Sequence, residues 1–301
     1  MKTFQGRTAV ITGAASGFGL EAARLAAHRG MNVVMADVQA DALERAAAEI
    51  ASFGAAVLPF RLDVSKAAEV EALGAAAQAR FGTPHLVFNN AGVSSGGLSW
   101  EYTAQDWEWI VGVNLMGVAH GIRVFTPPML EAAARDPQWE GHVVNTASMA
   151  GLVNMPNSAS YNATKSAVVA MSETLHHDLS LVTSQVRCSV LCPYFVSTGI
   201  MASERNRPPG MDDGRPPTAA QRVAKAMGEK AVASAKVSAA QIAQAVLDAV
   251  AEQRFYIYSH PHALQSVRAR MEDILNGRNP GDPFRERPQI GEGLRRALRG
   301  E

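Results

Sequence analysis

Cysteine is almost missing from this chain of 301 residues: only Cys188 and Cys192 are present. Both fall on one strand-like run, four positions apart. At about 3.3 Å per residue their Cα atoms would stand roughly 13 Å apart, beyond the roughly 7 Å that a disulfide spans. A disulfide framework is excluded, and a reduced, cytoplasmic protein with two core thiols is expected. An excess of either charge is also missing, with 28 Lys plus Arg against 28 Asp plus Glu. No basic field for nucleic acid is implied. No apolar run approaches the roughly 18 residues of a membrane span, so no membrane partner is expected. Met1–Gly6 leads straight toward a strand without a signal-peptide pattern. His176-His177 and His260-Pro261-His262 have no Cys or acid at ligand spacing, so no metal site is expected. No internal repeat is visible.

Apolar β-branched runs alternate with Ala-rich helical runs, and 47% hydrophobic residues suffice for a full core. Strands are predicted at Thr8–Thr12, Asn32–Ala36, Ala56–Arg61, Leu86–Asn89, His142–Thr146, Gln185–Leu191 and Phe255–Tyr258. Helices are predicted at Gly17–Arg29, Ala40–Phe53, Ala67–Phe81, Ala104–Ala134, Ser158–Leu181 and Ala239–Gln253. Continuous apolar strands alternating with helices define an α/β fold: a doubly wound parallel sheet of about seven strands, helices on both faces. Two stretches break the pattern. Ser203–Thr218, rich in Pro, Gly, Arg and Asp, is expected to hold no regular structure. Asn276–Pro288 is expected over the surface or partly disordered. The expected organisation is one domain over residues 1–260, with a mobile lid around 199–236, and an extension over 261–301.

The first strand runs into Gly13-Ala14-Ala15-Ser16-Gly17-Phe18-Gly19 and then a helix. A Gly-rich turn at that place cradles a pyrophosphate with backbone N–H groups and the helix dipole. Asp37, 18 positions after Gly19, ends the second strand near the spacing of a ribose-binding carboxylate. It would repel a 2′-phosphate. Val38 follows it and Ser16 occupies the loop, so no Arg or Lys is placed nearby, which favours NAD over NADP. The competing reading of Asp37 is an N-cap for the helix after it.

Tyr161 and Lys165 are four positions apart, hence on one helix face. A phenol is a poor base near neutrality, with a pKa of about 10, and a neighbouring cation favours its ionised form. Ser148, at the end of the fifth strand, can donate to the same substrate oxygen. Alone, Tyr-x-x-x-Lys also occurs on plain surface helices; the cofactor loop and Asp37 give it a partner.

Taken in order, these motifs resemble the short-chain dehydrogenase/reductase family, in its compact single-domain branch, over roughly residues 5–260. The resemblance rests on Thr12-Gly13-x-x-x-Gly17-x-Gly19, Asp63-Val64, Asn89-Asn90-Ala91-Gly92, Asn114 in Val113-Asn114-Leu115, and Ser148, Tyr161 and Lys165. It implies a Rossmann-type fold and adenine contacts at Asp63 and Val64. It also implies an Asn114 backbone carbonyl that holds a relay water and a Lys165 that binds the nicotinamide ribose. After the sixth strand, Pro193, Val196 and Thr198 resemble carboxamide and phosphate contacts. Tyr194 departs from the pattern, standing where the family has Gly. The family resemblance further implies a homodimer or homotetramer.

The function expected is reversible hydride transfer between a secondary alcohol and NAD, with Tyr161 handling the proton, Ser148 orienting the oxygen and Lys165 lowering the Tyr161 pKa. The substrate pocket is expected from Val93, Ser94, Met149, Val153, Met155, Tyr194, Phe195 and Met201, with a polar contact from Asn154 or Asn157. These segments contain no Arg or Lys, which implies an uncharged apolar or aromatic alcohol or ketone. Trp100, Trp107 and Trp109 form either a substrate wall or helix packing. The rival functions are an NADPH-preferring ketone reductase and a non-catalytic dinucleotide-binding sensor.

Overall fold

The computed structural model describes residues 1–211 and 214–300. Seven parallel strands form one sheet in the order β3-β2-β1-β4-β5-β6-β7. They are β1 (Thr8–Thr12), β2 (Asn32–Asp37), β3 (Val57–Arg61), β4 (Leu86–Asn89), β5 (Gly141–Thr146), β6 (Val186–Cys192) and β7 (Tyr256–Tyr258). Every residue of β1, β4 and β5 is buried, the signature of a parallel sheet covered on both faces. Successive side chains feed opposite layers. Ala9 and Ile11 join one core cluster with Val246 and Leu247, while Val10 joins another with Phe125 and Met129.

The helices are α1 (Gly17–His28), α2 (Ala40–Ala51), α3 (Ala67–Phe81), α4 (Ala104–Val111), α5 (Gly117–Arg135), α6 (Ala159–Val182), α7 (Ala219–Ala233), α8 (Ala239–Glu252), α9 (Leu264–Leu275) and α10 (Pro288–Arg299). Strand order reverses between β1 and β4, and the crevice outside the strand C-termini opens there.

Three sequence expectations need correction. The helix expected over Ala104–Ala134 is interrupted by a π turn at Gly112–Met116. Within Ala104–Arg135 an 18-residue window is also apolar enough to pass for a membrane span, with a mean hydropathy of 1.2. Yet 56% of that window is buried inside the fold, so it is a core helix. Ser203–Thr218 is not wholly irregular, because Gly199–Asn206 winds as 3-10 turns. Asp212 and Asp213, part of that expectation, lie outside the described residues. The segment after Thr218 then forms α7, opened by a capping box between Thr218 and Gln221. The extension over 261–301, for which no elements are predicted, carries two helices, α9 and α10. Residues 276–287 run over the surface, exposed except for the half-buried Phe284, while α10 packs on α7 and buries Leu294.

Candidate active site

The C-terminal ends of β1, β2, β4, β5 and β6 open into one continuous cavity of about 2190 Å³. That exceeds the roughly 300–1,000 Å³ of an ordinary small-molecule pocket, and its lining runs from the groove at the strand ends to α7.

The groove begins at the glycine loop. Gly13 has φ +66° and Gly17 φ +55°, values that glycine takes without cost. A Cβ on Gly19 would stand 2.2 Å from the Gly13 carbonyl oxygen, so the loop closes on itself only without one. Thr12 and Asn90 lock the loop to the end of β4. Thr12 Oγ1 accepts from the amides of Asn90 at 2.9 Å and Ala91 at 3.1 Å, and Asn90 Nδ2 donates to the Thr12 carbonyl at 3.0 Å. Asp37 is buried and accepts the Ala15 and Gln39 amides, each at 3.0 Å. It is therefore not the cap of α2, whose N-cap is Gln39; it ties the glycine loop to the end of β2. Ser16, Phe18, Val38, Asp63 and Val64 line the same groove. Asp63 Oδ1 accepts the Ser65 amide at 2.9 Å.

Deeper in, Lys165 is 3% exposed, and its Nζ donates to the Thr146 carbonyl at 2.9 Å. It lies 5.7 Å from the centre of the Tyr161 ring. The Tyr161 phenol lies near Ser148, which favours its ionised form. Ser148 caps the 3-10 turn Met149–Gly151, accepting the Ala150 amide at 3.1 Å, and reaches the Pro193 carbonyl at 3.4 Å. Asn114 sits within the π turn with its side chain fully engaged: Oδ1 accepts the Val93 amide at 2.8 Å and Nδ2 donates to the Val93 carbonyl at 2.9 Å. π turns concentrate at functional sites because they shift the carbonyl register. Gly92 completes the floor. A Cβ there would approach Asn114 Oδ1 to 3.3 Å and Lys165 Nζ to 3.5 Å, so the bare backbone keeps the space beside Lys165 open. A carboxylate at one end, a glycine loop and a clear floor beside an ammonium suit an extended dinucleotide.

Burial dominates the electrostatics. It lowers the Lys165 pKa to about 8. It raises that of the Tyr161 phenol, and the neighbouring Ser148 only partly opposes it. In the ligand-free protein burial therefore sets the direction of the Tyr161 pKa.

The nine expected pocket residues, Val93, Ser94, Met149, Val153, Asn154, Met155, Tyr194, Phe195 and Met201, all line the cavity. They are not equally deep. Met149 is buried, whereas Tyr194 is 44% exposed at the outer rim, stacked edge-on against Phe195 and His260. Its φ is not left-handed, so a side chain in place of glycine brings no backbone strain. Of the tryptophans, Trp109 lines the cavity, whereas Trp100 is 80% exposed and outside it. Asn157 has φ +61° and donates from Nδ2 to the Ala220 carbonyl at 2.9 Å, while its Oδ1 is buried without a partner.

The segment expected as a mobile lid is fastened to the rest of the site. Ser203 Oγ accepts the Ser94 amide at 3.0 Å, and Thr218 Oγ1 donates to Glu101 Oε2 at 2.8 Å. Arg207 pairs with Asp106 at 2.9 Å and with Glu204 at 2.7 Å, and covers the Trp109 ring at 4.3 Å. The cavity also meets Arg205, Arg207, Arg222 and Lys225, cations outside the segments that carried the expectation of an uncharged wall. Arg205 further corrects the expectation that no cation stands near Asp37: its Nε reaches Gln39 Oε1 at 3.5 Å, across 166 residues of sequence. The capping-box pattern Thr218-x-x-Gln221 was the one local signal of this wall; its cross-chain contacts had none. Cys188 and Cys192 are free and buried. Among the described residues, no group of three His, Cys, Asp or Glu side chains is placed to hold a metal ion.

Comparison with known proteins agrees with this geometry. Residues 7–209 match the short chain dehydrogenase family. A CLA biosynthesis dehydrogenase/reductase from Lactiplantibacillus plantarum is 35% identical over 283 residues, covering 93% of this chain and 97% of the relative. A 1-deoxy-11-beta-hydroxypentalenate dehydrogenase from Streptomyces exfoliatus is 35% identical over 272 residues, covering 90% and 89%. Among solved structures, a short chain dehydrogenase/reductase from Burkholderia phymatum in complex with NAD superposes with a TM-score of 0.91. It is 49% identical, over 94% of this chain and 99% of that one. The chain belongs to the short chain dehydrogenase family of oxidoreductases.

Proposed function

We propose that the protein is an NAD-dependent oxidoreductase that interconverts a secondary alcohol and its ketone, on an uncharged apolar or aromatic substrate. The observation that carries this reading is the Tyr161–Ser148 hydroxyl pair above Lys165, beside the open floor at Gly92. The similar Burkholderia phymatum protein holds NAD, and the Streptomyces relative is named for dehydrogenation of a hydroxylated compound.

Thr12, Gly13, Ser16, Gly17, Phe18 and Gly19 would hold the pyrophosphate side of the dinucleotide, and Asp37 with Val38 the adenosine ribose. Asp63, Val64, Asn90, Ala91 and Gly92 would border the adenine and the floor, and Pro193, Val196 and Thr198 the nicotinamide end. When bound, the dinucleotide supplies the hydride acceptor or donor. The chain's own work is proton handling and positioning. Ser148 donates a hydrogen bond to the substrate oxygen. Tyr161 takes the hydroxyl proton during oxidation and returns it during reduction. Lys165, desolvated and held by Thr146, favours loss of that proton once a second positive charge is near. The Asn114 carbonyl, within the π turn, would pass the proton to water. Val93, Met149, Val153 and Met155 surround the substrate with apolar surface, and Asn154 or Asn157 offers one polar contact. Arg205 beside Gln39 favours a second reading, an NADPH-preferring reductase of the same family; Asp37 speaks against it. The same proposal makes the protein a cytoplasmic homodimer or homotetramer. The exposed Leu181 and Val182 ending α6, and Tyr256 on the edge strand β7, support an oligomer.

A coupled assay over secondary alcohols graded in size and polarity, each with NAD and NADP, tests the reading. Bulky aryl or apolar carbinols with NAD should give the highest kcat/KM. A preference for small acidic alcohols, or for NADP, would overturn it.

A further inference from the structure

Two guanidinium groups lie in the turn that follows the sixth strand, and they are spent differently. Arg207 is neutralised by Asp106 and Glu204 and packed on Trp109. Arg205 has no carboxylate partner among the described residues. Its Nη1 donates to the carbonyls of Gly199 at 3.0 Å and Ala202 at 2.6 Å. These bonds fix the guanidinium plane on its own turn. Its Nε points at Gln39 Oε1, two residues beyond Asp37. Among the described residues no bond engages Nη2, which borders Gly199, where a Cβ would come within 3.3 Å of it. Arg205, Gln39, Asp37 and Gly199 all line the same groove.

The groove is crossed in two places. At one, Gly17 faces the Thr198 methyl across the space of a single Cβ, 3.5 Å away. At the other, Arg205 meets Gln39. Whatever lies along the groove from the glycine loop to Asp37 passes beneath an unneutralised, preoriented cation. Arginine in that state is suited to phosphate oxygens, which it binds through charge-assisted hydrogen bonds.

We propose that Arg205 is an additional dinucleotide-binding residue: a cation on the lid that contacts a phosphate of the adenosine half and bars the groove against Gln39. This rests on the reading of the groove as a dinucleotide site. The phosphate is either the pyrophosphate, common to NADH and NADPH, or the 2′-phosphate, present only in NADPH.

The test is equilibrium binding of NADH and of NADPH, followed by fluorescence, to the parent and to Arg205→Gln and Arg205→Lys. Glutamine keeps a donor for the turn carbonyls and removes the charge; lysine keeps the charge. Thermal unfolding of each variant checks the fold. The expected result is that Arg205→Gln weakens binding roughly tenfold or more, the loss of one charge-assisted contact, while Arg205→Lys recovers part of it. Added salt should weaken the parent more than Arg205→Gln, because it screens the contact. Weakening for both dinucleotides assigns the pyrophosphate; weakening for NADPH alone assigns the 2′-phosphate. If Arg205→Gln binds both as tightly as the parent and with the same salt dependence, Arg205 only caps its turn and the inference is wrong. Should Arg205→Gln not fold, Gln39→Ala, which removes the opposite side of the bar, carries the same comparison. A parent that binds neither dinucleotide would overturn the functional reading itself, a result distinct from failure of the variant alone.

Discussion

The cavity has two walls built on different principles. The sheet wall is made of residues at strand ends, Thr12, Asp37, Asn90 and Thr146, fixed by continuous parallel pairing and locked by buried hydrogen bonds. The lid wall is made of Gly199–Asn206 and α7. It has no strand beneath it and is held by side-chain ties to Ser94, Glu101, Asp106 and Asn157, with α10 packed behind. The first wall is set by backbone pairing, which a single side-chain change does not move. The second is set by a handful of polar contacts, each removable by one substitution. Under the proposed function the first wall carries most of the cofactor contacts, and the second closes over the substrate and adds Arg205 toward the cofactor.

Variants can break this division. Tyr161→Phe removes the proton-transfer group and should lower kcat by about 1000-fold, with cofactor affinity and thermal unfolding unchanged. Retained turnover would remove Tyr161 from the chemistry. Lys165→Met tests the cost of burying an ammonium. The folded pKa, about 8, lies below the ordinary 10.5. Between these values the unfolded chain holds a proton that the folded chain lacks, so parent stability rises with pH across this window, by at most about 3 kcal/mol. The variant should lack this rise. Denaturant unfolding of both proteins at each end of the window reads the difference, and parallel curves would contradict it. Asp37→Ser removes the repulsion of a 2′-phosphate and should shift the NADH to NADPH ratio of kcat/KM toward NADPH by roughly tenfold or more. Arg207→Ala cuts the lid tie to Asp106. Steady-state kinetics should show a several-fold higher substrate KM with little change in kcat, and a stability loss of about 1–3 kcal/mol. A change confined to kcat would place Arg207 with the chemistry rather than the lid.

The same division governs how much was legible in the sequence. All seven strands appear where apolar β-branched runs predict them, with ends differing by a residue or so, because a strand buried on both faces writes its pattern locally. The glycine loop, Asp37, Ser148, Tyr161 and Lys165 were visible for the same reason: fixed spacing on regular elements puts them at one end of the sheet. The lid wall was not visible. Arg205 reaches Gln39, and Arg207 reaches Asp106, through contacts that no local pattern announces. The π turn at Asn114 was hidden inside a helical run of unbroken periodicity. Spacing shows that Tyr161 has a neighbouring cation but not how deeply it is buried, and burial sets the direction of its pKa in the ligand-free protein.

The central claim, that the site moves a hydride between a carbinol carbon and a nicotinamide dinucleotide, is tested most directly by isotope transfer. The best secondary alcohol, deuterated at the carbinol carbon, is incubated with the enzyme and NAD, and the dinucleotide is analysed by mass spectrometry. The account predicts reduced dinucleotide that carries the deuterium. Reduced dinucleotide without deuterium, or none formed from any secondary alcohol, would contradict it.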